Sequence, residues 1–435
     1  MQRARYEKQE DSEAMEMNTD KELFKLAIYG GAKVRTRPWP GRGLLGEEER
    51  AAVNALFDEA IATGNAFGYN GPEEEAYCRE FASYMGGGYA DAVNSGTTAV
   101  YTALRAVNPE PFTEVIVSPI TDPGGMMPIV MCNCIPVIAD TAPGSYNTGP
   151  EQVAELISPL TGAIIVAHIG GEPADMEGIM AVARKHGIPV IEDCAQAHGA
   201  TLNGRKVGTF GDIAAFSTMF GKHHCTGGQG GMVYTRSEKL YQRSRWCSDR
   251  GKPFGLPAGS TNCVGALNLN LNDLSAAIGR VQLRKLPNII KRRQYVAARI
   301  GEGIEQLKLV TAPDILSGAE SSYWFMRLEF NSDSASCNKE SYCKALQEEG
   351  IPIAVSYRHL PHTMEWFTKR QVFGSNGHPW TSPHYTGDAD RAFTCPNAVA
   401  VTDKQFNLSV HEGWGEEEIT DTLKAFNKVE EVLTK

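Results

Sequence analysis

The sequence of 435 residues lacks any long hydrophobic run. No stretch approaches the ~18 consecutive apolar residues that a membrane helix needs. The first twenty residues, MQRARYEKQEDSEAMEMNTD, carry charges of both signs and no apolar run, which is unlike a secretory signal. We therefore expect no membrane partner and no export through an N-terminal signal.

Positive charge is also scarce. Lysine and arginine total 42 against 52 aspartate and glutamate residues, which leaves a formal net charge of −10. Such a chain has no uniform positive field that would attract phosphate backbones or anionic lipid. The sequence therefore predicts no nucleic-acid partner. Hydrophobic residues at 42% and charged residues at 22% lie in the ordinary range of globular proteins.

The ten cysteines are too few for a disulfide scaffold in a chain of this length. Reduced thiols and a cytoplasmic location are the simplest interpretation. Cys132 and Cys134 lack a second ligand pair at zinc spacing, and the run from Lys222 to Cys225 places its donors too close together for a usual tetrahedral site. We expect no bound metal.

The order of patterns along the chain predicts three parts. Residues 1–26 are expected to form a flexible polar leader, because the charged run offers little to bury. Residues 27–282 form an N-terminal arm and then alternate apolar runs with helical periods, which predicts a large α/β domain with a mostly parallel, doubly wound sheet. Residues 283–435 carry a long helix and then strand and helix signals, which predict a smaller α+β domain.

Active sites in such sheets lie at the carboxyl ends of the strands, and three motifs fall there. The first is Asn94-Ser95-Gly96-Thr97-Thr98, between a predicted strand and helix. Gly96 permits close backbone approach, and the hydroxyls and free N–H groups of the helix start can hold a phosphate. The simpler alternative is an ordinary Ser/Thr helix cap.

The second motif runs from Ile191 to Gly199 and places Asp193 where a buried strand ends. An ionised carboxylate there needs a partner, because burying an unpaired one is costly or shifts its pKa. A protonated pyridine ring would be such a partner, and a solvated loop aspartate is the alternative.

The third motif is Phe216-Ser217-Thr218-Met219-Phe220-Gly221-Lys222, followed by the glycine-rich run TGGQGG. A lysine between glycine walls can lose its proton by desolvation and form a Schiff base, and the glycines let a flat cofactor approach the backbone. An ordinary surface lysine is the alternative.

In this order and spacing, the three motifs NSGTTAV, IEDCAQAHGA and FSTMFGKHHCTGGQGG resemble those of the DegT/DnrJ/StrS aminotransferases. The resemblance extends from Gly30 to Val432. It implies an aspartate-aminotransferase-like fold (fold type I), with a large domain that binds pyridoxal 5'-phosphate and a smaller C-terminal domain. The N-terminal GGAKVRTRPWP is similar to members that aminate keto-cyclitols or make aminohydroxybenzoate.

The resemblance also implies roles for individual residues. Lys222 corresponds to the lysine that bears the cofactor as a Schiff base and then moves the proton. Asp193 corresponds to the carboxylate paired with the ring nitrogen, and Gln196 to the amide near the ring hydroxyl. The residues implied as phosphate contacts are Gly96, Thr97 and Ser217.

Asn268 corresponds to an asparagine that reaches the phosphate from the neighbouring subunit, which implies a homodimer with shared active sites. Two positions depart from the family pattern. Asn270 stands where relatives have arginine, and Asp122 stands where relatives have an aromatic residue that stacks on the ring.

The function implied is transfer of an amino group from glutamate or glutamine to the carbonyl of a polyhydroxylated, sugar-like acceptor, as in amino sugar biosynthesis. A keto-sugar, which could be linked to a nucleotide, a free sugar aldehyde, a keto-cyclitol and an aminohydroxybenzoate-type reaction all remain open. A sugar dehydratase would have histidine in place of Lys222, and a non-catalytic regulator would be expected to have lost Lys222 or Asp193. The neighbouring His198, His223 and His224 are expected to be solvated or hydrogen-bonded, and Trp324 and Trp380 to pack.

Overall fold

The computed structural model describes residues 23–357 and 359–435, so most of the predicted leader lies outside the described residues. Its last residues, 23–26, are described, and Leu26 is fully buried. Leu26 packs into a hydrophobic core formed mainly by the C-terminal part of the chain. The N-terminal arm is therefore attached to that core.

The described residues contain fourteen strands. They are β1 (Tyr89–Val93), β2 (Glu114–Val117), β3 (Ile135–Ile138), β4 (Thr161–Ala167), β5 (Val190–Asp193), β6 (Thr201–Leu202), β7 (Arg205–Lys206), β8 (Ile213–Ser217), β9 (Gly231–Thr235), β10 (Val310–Thr311), β11 (Ala319–Glu320), β12 (Met326–Phe330), β13 (Ile353–Ala354) and β14 (Gln405–Leu408).

The same residues contain twelve α-helices. They are α1 (Glu47–Thr63), α2 (Pro72–Tyr84), α3 (Gly96–Val107), α4 (Pro123–Met131), α5 (Pro150–Ala154), α6 (Met176–His186), α7 (Glu238–Ser248), α8 (Asp273–Ile304), α9 (Lys339–Glu348), α10 (Glu365–Thr368), α11 (Pro396–Lys404) and α12 (Glu416–Leu433). Short 3-10 turns span Ala27–Tyr29, Ile169–Gly171 and Pro361–Thr363. None of the helices in this described part has both the length and the apolar character that a membrane span requires.

The central sheet has seven strands in the order β1-β9-β8-β5-β4-β2-β3. The pairs from β8 to β3 are parallel, whereas β9 runs antiparallel to both β1 and β8. Strands β2 and β4 are nearly continuous runs of Val, Ile and Ala that are buried along most of their length, as expected for a parallel sheet covered on both faces. The predicted mostly parallel α/β fold is confirmed.

The C-terminal part forms an antiparallel sheet in the order β10-β12-β14-β13. Helices α9 and α12 pack against it around Leu328, Phe406 and Phe426, which are fully buried. The long helix α8 continues from the large sheet into this region. The sequence predicts a domain boundary between residues 282 and 283, and both residues lie on this one helix. A small third sheet, in the order β11-β6-β7, joins the two parts.

Candidate active site

The three sequence motifs meet at the carboxyl edge of the central sheet. Asp193 is the last residue of β5 and Ser217 the last residue of β8, while α3 begins at Gly96, three positions after the end of β1. A Cβ atom on Gly96 would lie 2.5 Å from the Cβ of Ser217. Only glycine therefore lets the start of α3 come this close to the end of β8.

The start of α3 combines a helix cap with an open anion site. Ser95 is the N-cap residue: its Oγ accepts a hydrogen bond from the N–H of Thr98 at 3.1 Å, and Thr98 Oγ1 accepts one from the N–H of Ser95 at 3.0 Å. The cap interpretation is therefore correct for these two residues. Gly96 and Thr97 occupy the first helical positions, where backbone N–H groups have no acceptor within the helix, so those donors can hold an anion.

Asp193 is buried, with 7% of its surface exposed. Its Oδ1 accepts a hydrogen bond from the N–H of Ala195 at 3.0 Å. Burial raises the pKa of Asp193, although the Ala195 N–H and the charge of Lys222 act in the opposite direction. A cation bound at this carboxylate would relieve the cost of burying its charge.

Lys222 is also buried. Burial lowers the pKa of its amine to about 8, against the opposing charges of Asp193 and Asp122. The amine lies 3.9 Å from the centre of the Trp324 ring, and Trp324 donates its indole N–H to the carbonyl oxygen of Gly221 at 3.1 Å. The sequence-based expectation that Trp324 simply packs is incomplete, because its ring contacts the amine.

The N-terminal arm also fixes the lysine segment. Arg42 donates from Nη1 to the carbonyl oxygen of Lys222 at 2.7 Å and from Nη2 to that of His223 at 3.3 Å. Its Nε pairs with Glu412 at 2.8 Å. Sequence reasoning did not single out Arg42, because nothing in a glycine- and proline-rich arm indicates a contact 180 residues away.

Gln196 connects the large sheet to the C-terminal part. Its Oε1 accepts a hydrogen bond from the N–H of Gly170 at 2.9 Å, and its Nε2 donates to the hydroxyl of Tyr357 at 2.7 Å. Burial raises the pKa of the Tyr357 hydroxyl, which is therefore neutral at physiological pH. Asp122 also lies close enough for its charge to act on both Tyr357 and Lys222.

The three adjacent histidines are buried beneath this site. His198 donates from Nε2 to the carbonyl oxygen of Ser217 at 2.8 Å, and His223 donates from Nε2 to that of Ser322 at 3.0 Å. Burial lowers the pKa of His198 to about 4. It also lowers the pKa values of His223 and His224 well below the ordinary value for histidine. His224 Nε2 pairs with the hydroxyl of Tyr77 at 2.7 Å, so all three residues are hydrogen-bonded, as expected.

A second buried group, His168, Glu192 and Cys194, has the spacing of a metal cluster. The Nδ1 of His168 accepts a hydrogen bond from the N–H of Ala174 at 3.0 Å, so its proton resides on Nε2, which faces Glu192 at 3.2 Å. Neither ring nitrogen then offers a free electron pair. Glu192 further accepts three backbone N–H groups, and the cluster therefore serves to brace the sheet.

The first turn of α4 closes the site opposite Asp193. Asp122 is the N-cap residue of α4, with Oδ1 accepting from the N–H of Gly124 at 2.9 Å. A Cβ on Gly124 would lie 2.4 Å from Thr97 Oγ1, and one on Gly125 would lie 2.9 Å from Asp193 Oδ2. The two glycines therefore let the backbone of α4 pack directly against Thr97 and Asp193.

The donor set fits pyridoxal phosphate at three chemically distinct points. Lys222 offers a primary amine with a lowered pKa, Asp193 a buried carboxylate suited to a protonated ring nitrogen, and the start of α3 offers N–H and hydroxyl donors for a phosphate.

Asn268 lies outside this group. It is exposed, and its Oδ1 accepts a hydrogen bond from the Nδ2 of Asn270 at 2.7 Å. Among the described residues, Asn268 forms no hydrogen bond with Gly96, Thr97 or Ser217. Its role at the site of a neighbouring subunit stays a prediction.

The chain is similar to known proteins along most of its length. Residues 46–427 match the model of the DegT/DnrJ/EryC1/StrS aminotransferase family. The chain is 30% identical to GDP-perosamine synthase of Caulobacter vibrioides, over 81% of this chain and 88% of that protein. It is 28% identical to L-glutamine:2-deoxy-scyllo-inosose aminotransferase of Micromonospora echinospora, over 93% and 97%. The crystal structure of 3-amino-5-hydroxybenzoic acid synthase superposes with a TM-score of 0.76 at 25% identity, covering 92% of this chain and 99% of that one.

Proposed function

Because the chain belongs to the DegT/DnrJ/EryC1/StrS family of pyridoxal phosphate-dependent aminotransferases, we propose that it moves an amino group from glutamate or glutamine to the carbonyl of a polyhydroxylated acceptor. The observation that carries the proposal is the buried amine of Lys222, with its pKa lowered to about 8, beside the buried carboxylate of Asp193. A keto-sugar, free or linked to a nucleotide, is the acceptor that we favour.

The residues in the site would hold the cofactor in a defined way. The amine of Lys222 would carry it, Asp193 would pair with its ring nitrogen, and Gly96, Thr97 and Ser217 would hold its phosphate. When bound, pyridoxal phosphate supplies an aldehyde that condenses with amines and a ring that accepts an electron pair from the adjoining carbon.

Lys222 is suited to general acid and base catalysis once its amine is free. A group with a pKa of about 8 gives up and takes back a proton near neutral pH, which an exposed lysine does not do readily. The Trp324 ring and the Arg42 guanidinium fix both ends of this residue, the first at the amine and the second at the backbone carbonyl. The amine therefore needs little reorganisation between the two proton transfers.

A keto-cyclitol acceptor is the second candidate. The match to the 2-deoxy-scyllo-inosose aminotransferase covers 93% of this chain. Keto-cyclitols and keto-sugars both present a ring carbonyl flanked by hydroxyls, so the same polar site could accept either.

The decisive test is a matrix of donors and acceptors. The purified holoenzyme is incubated with glutamate or glutamine and with a nucleotide-linked keto-sugar, a free sugar aldehyde or a keto-cyclitol, and release of the keto acid is measured. We expect release that depends on one acceptor class and disappears in Lys222→Ala. Absence of release with every pair, in protein that is loaded with cofactor, would refute the proposed acceptor chemistry.

A further inference from the structure

A cavity of about 280 Å³ lies at the opposite margin of the central sheet from β1. Strand β3 is the edge strand there. Pro136 lies at its centre, and proline is tolerated on an edge strand because it has no backbone N–H that would stay unpaired. The segment 361–393 covers this edge, and the cavity lies between the two. Its lining includes none of Lys222, Asp193 or Tyr357, so it is separate from the active site.

Aromatic rings form most of the apolar wall of the cavity. Trp380 and Tyr385 are buried, and Phe367 and Phe393 lie beside them. Phe367 meets Trp380 edge to face at a centroid distance of 5.7 Å and meets Phe393 in the same way at 6.2 Å. Rings in such positions present edges and faces to a further ring, which a planar aromatic ligand would occupy.

His362 provides a polar atom without a partner in this wall. The residue is buried, with 8% of its surface exposed, and its Nδ1 forms no hydrogen bond with any described residue. Burial lowers the pKa of His362, so the ring is neutral. A buried nitrogen without a partner is destabilising unless a ligand or water supplies one.

Arg391 provides a charge without a partner. Its guanidinium lines the cavity but forms no hydrogen bond or ion pair within the described part of the chain. Arg370, which also lines the cavity, uses only Nη2, on the carbonyl oxygen of Ala389 and on Asp390. Asp388 at the same wall has Oδ1 engaged by the N–H of Asp390. Asp388 thus adds a carboxylate to this wall, while the guanidinium of Arg391 and the Nε and Nη1 of Arg370 keep donors that can bind an oxyanion.

We propose that this cavity is a binding site for a small aromatic carboxylate. The ring lies among Trp380, Phe367 and Phe393, the carboxylate pairs with Arg391, and a ligand atom satisfies His362 Nδ1. Each part of this ligand has a complementary group in the wall. The planar ring packs against the aromatic side chains, the carboxylate pairs with the guanidinium, and a polar ligand atom forms a hydrogen bond with the imidazole.

Calorimetric titration of the holoenzyme tests the site with three probes of one size. Benzoate has both the ring and the charge, cyclohexanecarboxylate has only the charge, and benzamide has only the ring. We expect benzoate to bind with one site per chain and at least 5-fold more tightly than either of the others. Equal affinity for all three, or no saturable binding of benzoate, would overturn the proposal.

Variants locate the binding. Arg391→Gln removes the charge at a side chain that makes no hydrogen bond or ion pair with the described residues, and Thr368→Trp fills the cavity from its exposed rim. Arg236→Gln, an exposed arginine away from the cavity, is the matched control. Benzoate binding should weaken at least 10-fold in the first two variants and stay unchanged in the control, while amino transfer stays normal in all three. Unchanged benzoate affinity in both Arg391→Gln and Thr368→Trp would place the binding elsewhere and overturn the proposal.

Discussion

The amine of Lys222 lies 3.9 Å from the centre of the Trp324 ring, although 102 positions separate the two residues in the sequence. Trp324 lies two positions before β12, whereas Lys222 lies five positions after β8 of the large sheet. The candidate active site is therefore built by both parts of the chain. A cation over an indole face is stabilised by about 0.5 to 2 kcal/mol, which favours the protonated amine.

Trp324→Leu should lower the pKa of the Lys222 amine, because the aromatic face that stabilises its charge is lost. A change of 1.4 kcal/mol corresponds to about one pKa unit. The pH dependence of Lys222 acylation in cofactor-free protein, followed by peptide mass spectrometry, reports this pKa directly. Trp324→Phe is the matched control, since it keeps a ring and should shift the profile less. Identical profiles for the leucine and phenylalanine variants would show that the ring does not act on the amine.

Asp193→Asn should retain the cofactor but lose most of the transamination rate, by roughly 100-fold or more. An amide cannot hold the positive charge on a ring nitrogen that a carboxylate holds, and that charge makes the ring an acceptor of electrons. Turnover at saturating donor, together with the visible absorbance of the bound cofactor, measures the two effects separately. Near-normal turnover in this variant would mean that another carboxylate has the role.

The buried histidines predict a loss of stability in mild acid. The pKa of His198 is about 4 in the folded chain, against an ordinary value of 6.5, so the unfolded chain binds more protons between these values. Stability contributed by the neutral ring is therefore complete above pH 6.5 and falls as the pH drops towards 4. His198 alone should cost about 2 kcal/mol by pH 5.

Urea unfolding at pH 7.5, 6 and 5 measures this dependence. His198→Gln is the informative variant, because its amide can still donate to the Ser217 carbonyl but does not titrate. Its stability should be lower than that of the wild type at pH 7.5 yet decline less on acidification. A variant that declines as steeply as the wild type would exclude His198 as the titrating group.

The sequence predicted the positions of those candidate-site residues that belong to local motifs. Gly96, Asp193 and Ser217 lie at strand ends or helix starts, where the alternation of strand and helix already fixes their position, and the family and fold that the motifs indicate are confirmed. Arg42 and Trp324 were not assigned to the site, because their contacts cross 180 and 102 positions and depend on how the two parts of the chain pack. No local pattern records such contacts.

The predicted start of the C-terminal domain shows the same limit of prediction from local sequence. Composition changes near residue 283, but α8 extends from Asp273 to Ile304 because its apolar positions recur at helical spacing on both sides of that point. Gln196 gives a second example. Its motif predicts an amide at the cofactor, whereas its bond to Tyr357, 161 positions away, is set by tertiary packing.

Asn268 is predicted to act at the site of a neighbouring subunit. This residue is exposed on its own chain, and we propose that it completes the phosphate site of a partner subunit in a homodimer. A neutral donor supplied in this way would link cofactor affinity to dimerisation, because each hydrogen bond to phosphate adds to binding. Asn268→Ala should then weaken cofactor retention without reducing the stability of the cofactor-free chain. Asn262→Ala, in the same exposed loop region, is a suitable control.

Subunit mixing decides between a shared and an unshared site. Lys222→Ala and Asn268→Ala homodimers, each inactive under limiting cofactor, are combined under conditions that exchange subunits. If the site is shared, one of the two sites in each heterodimer carries both substitutions and the other carries neither, so activity returns. If Asn268 acts within its own chain, every site carries one substitution and activity stays absent. If exchange is verified and activity does not return, Asn268 acts within its own chain. The experiment needs one active pair of donor and acceptor, but it does not need the natural acceptor to be known.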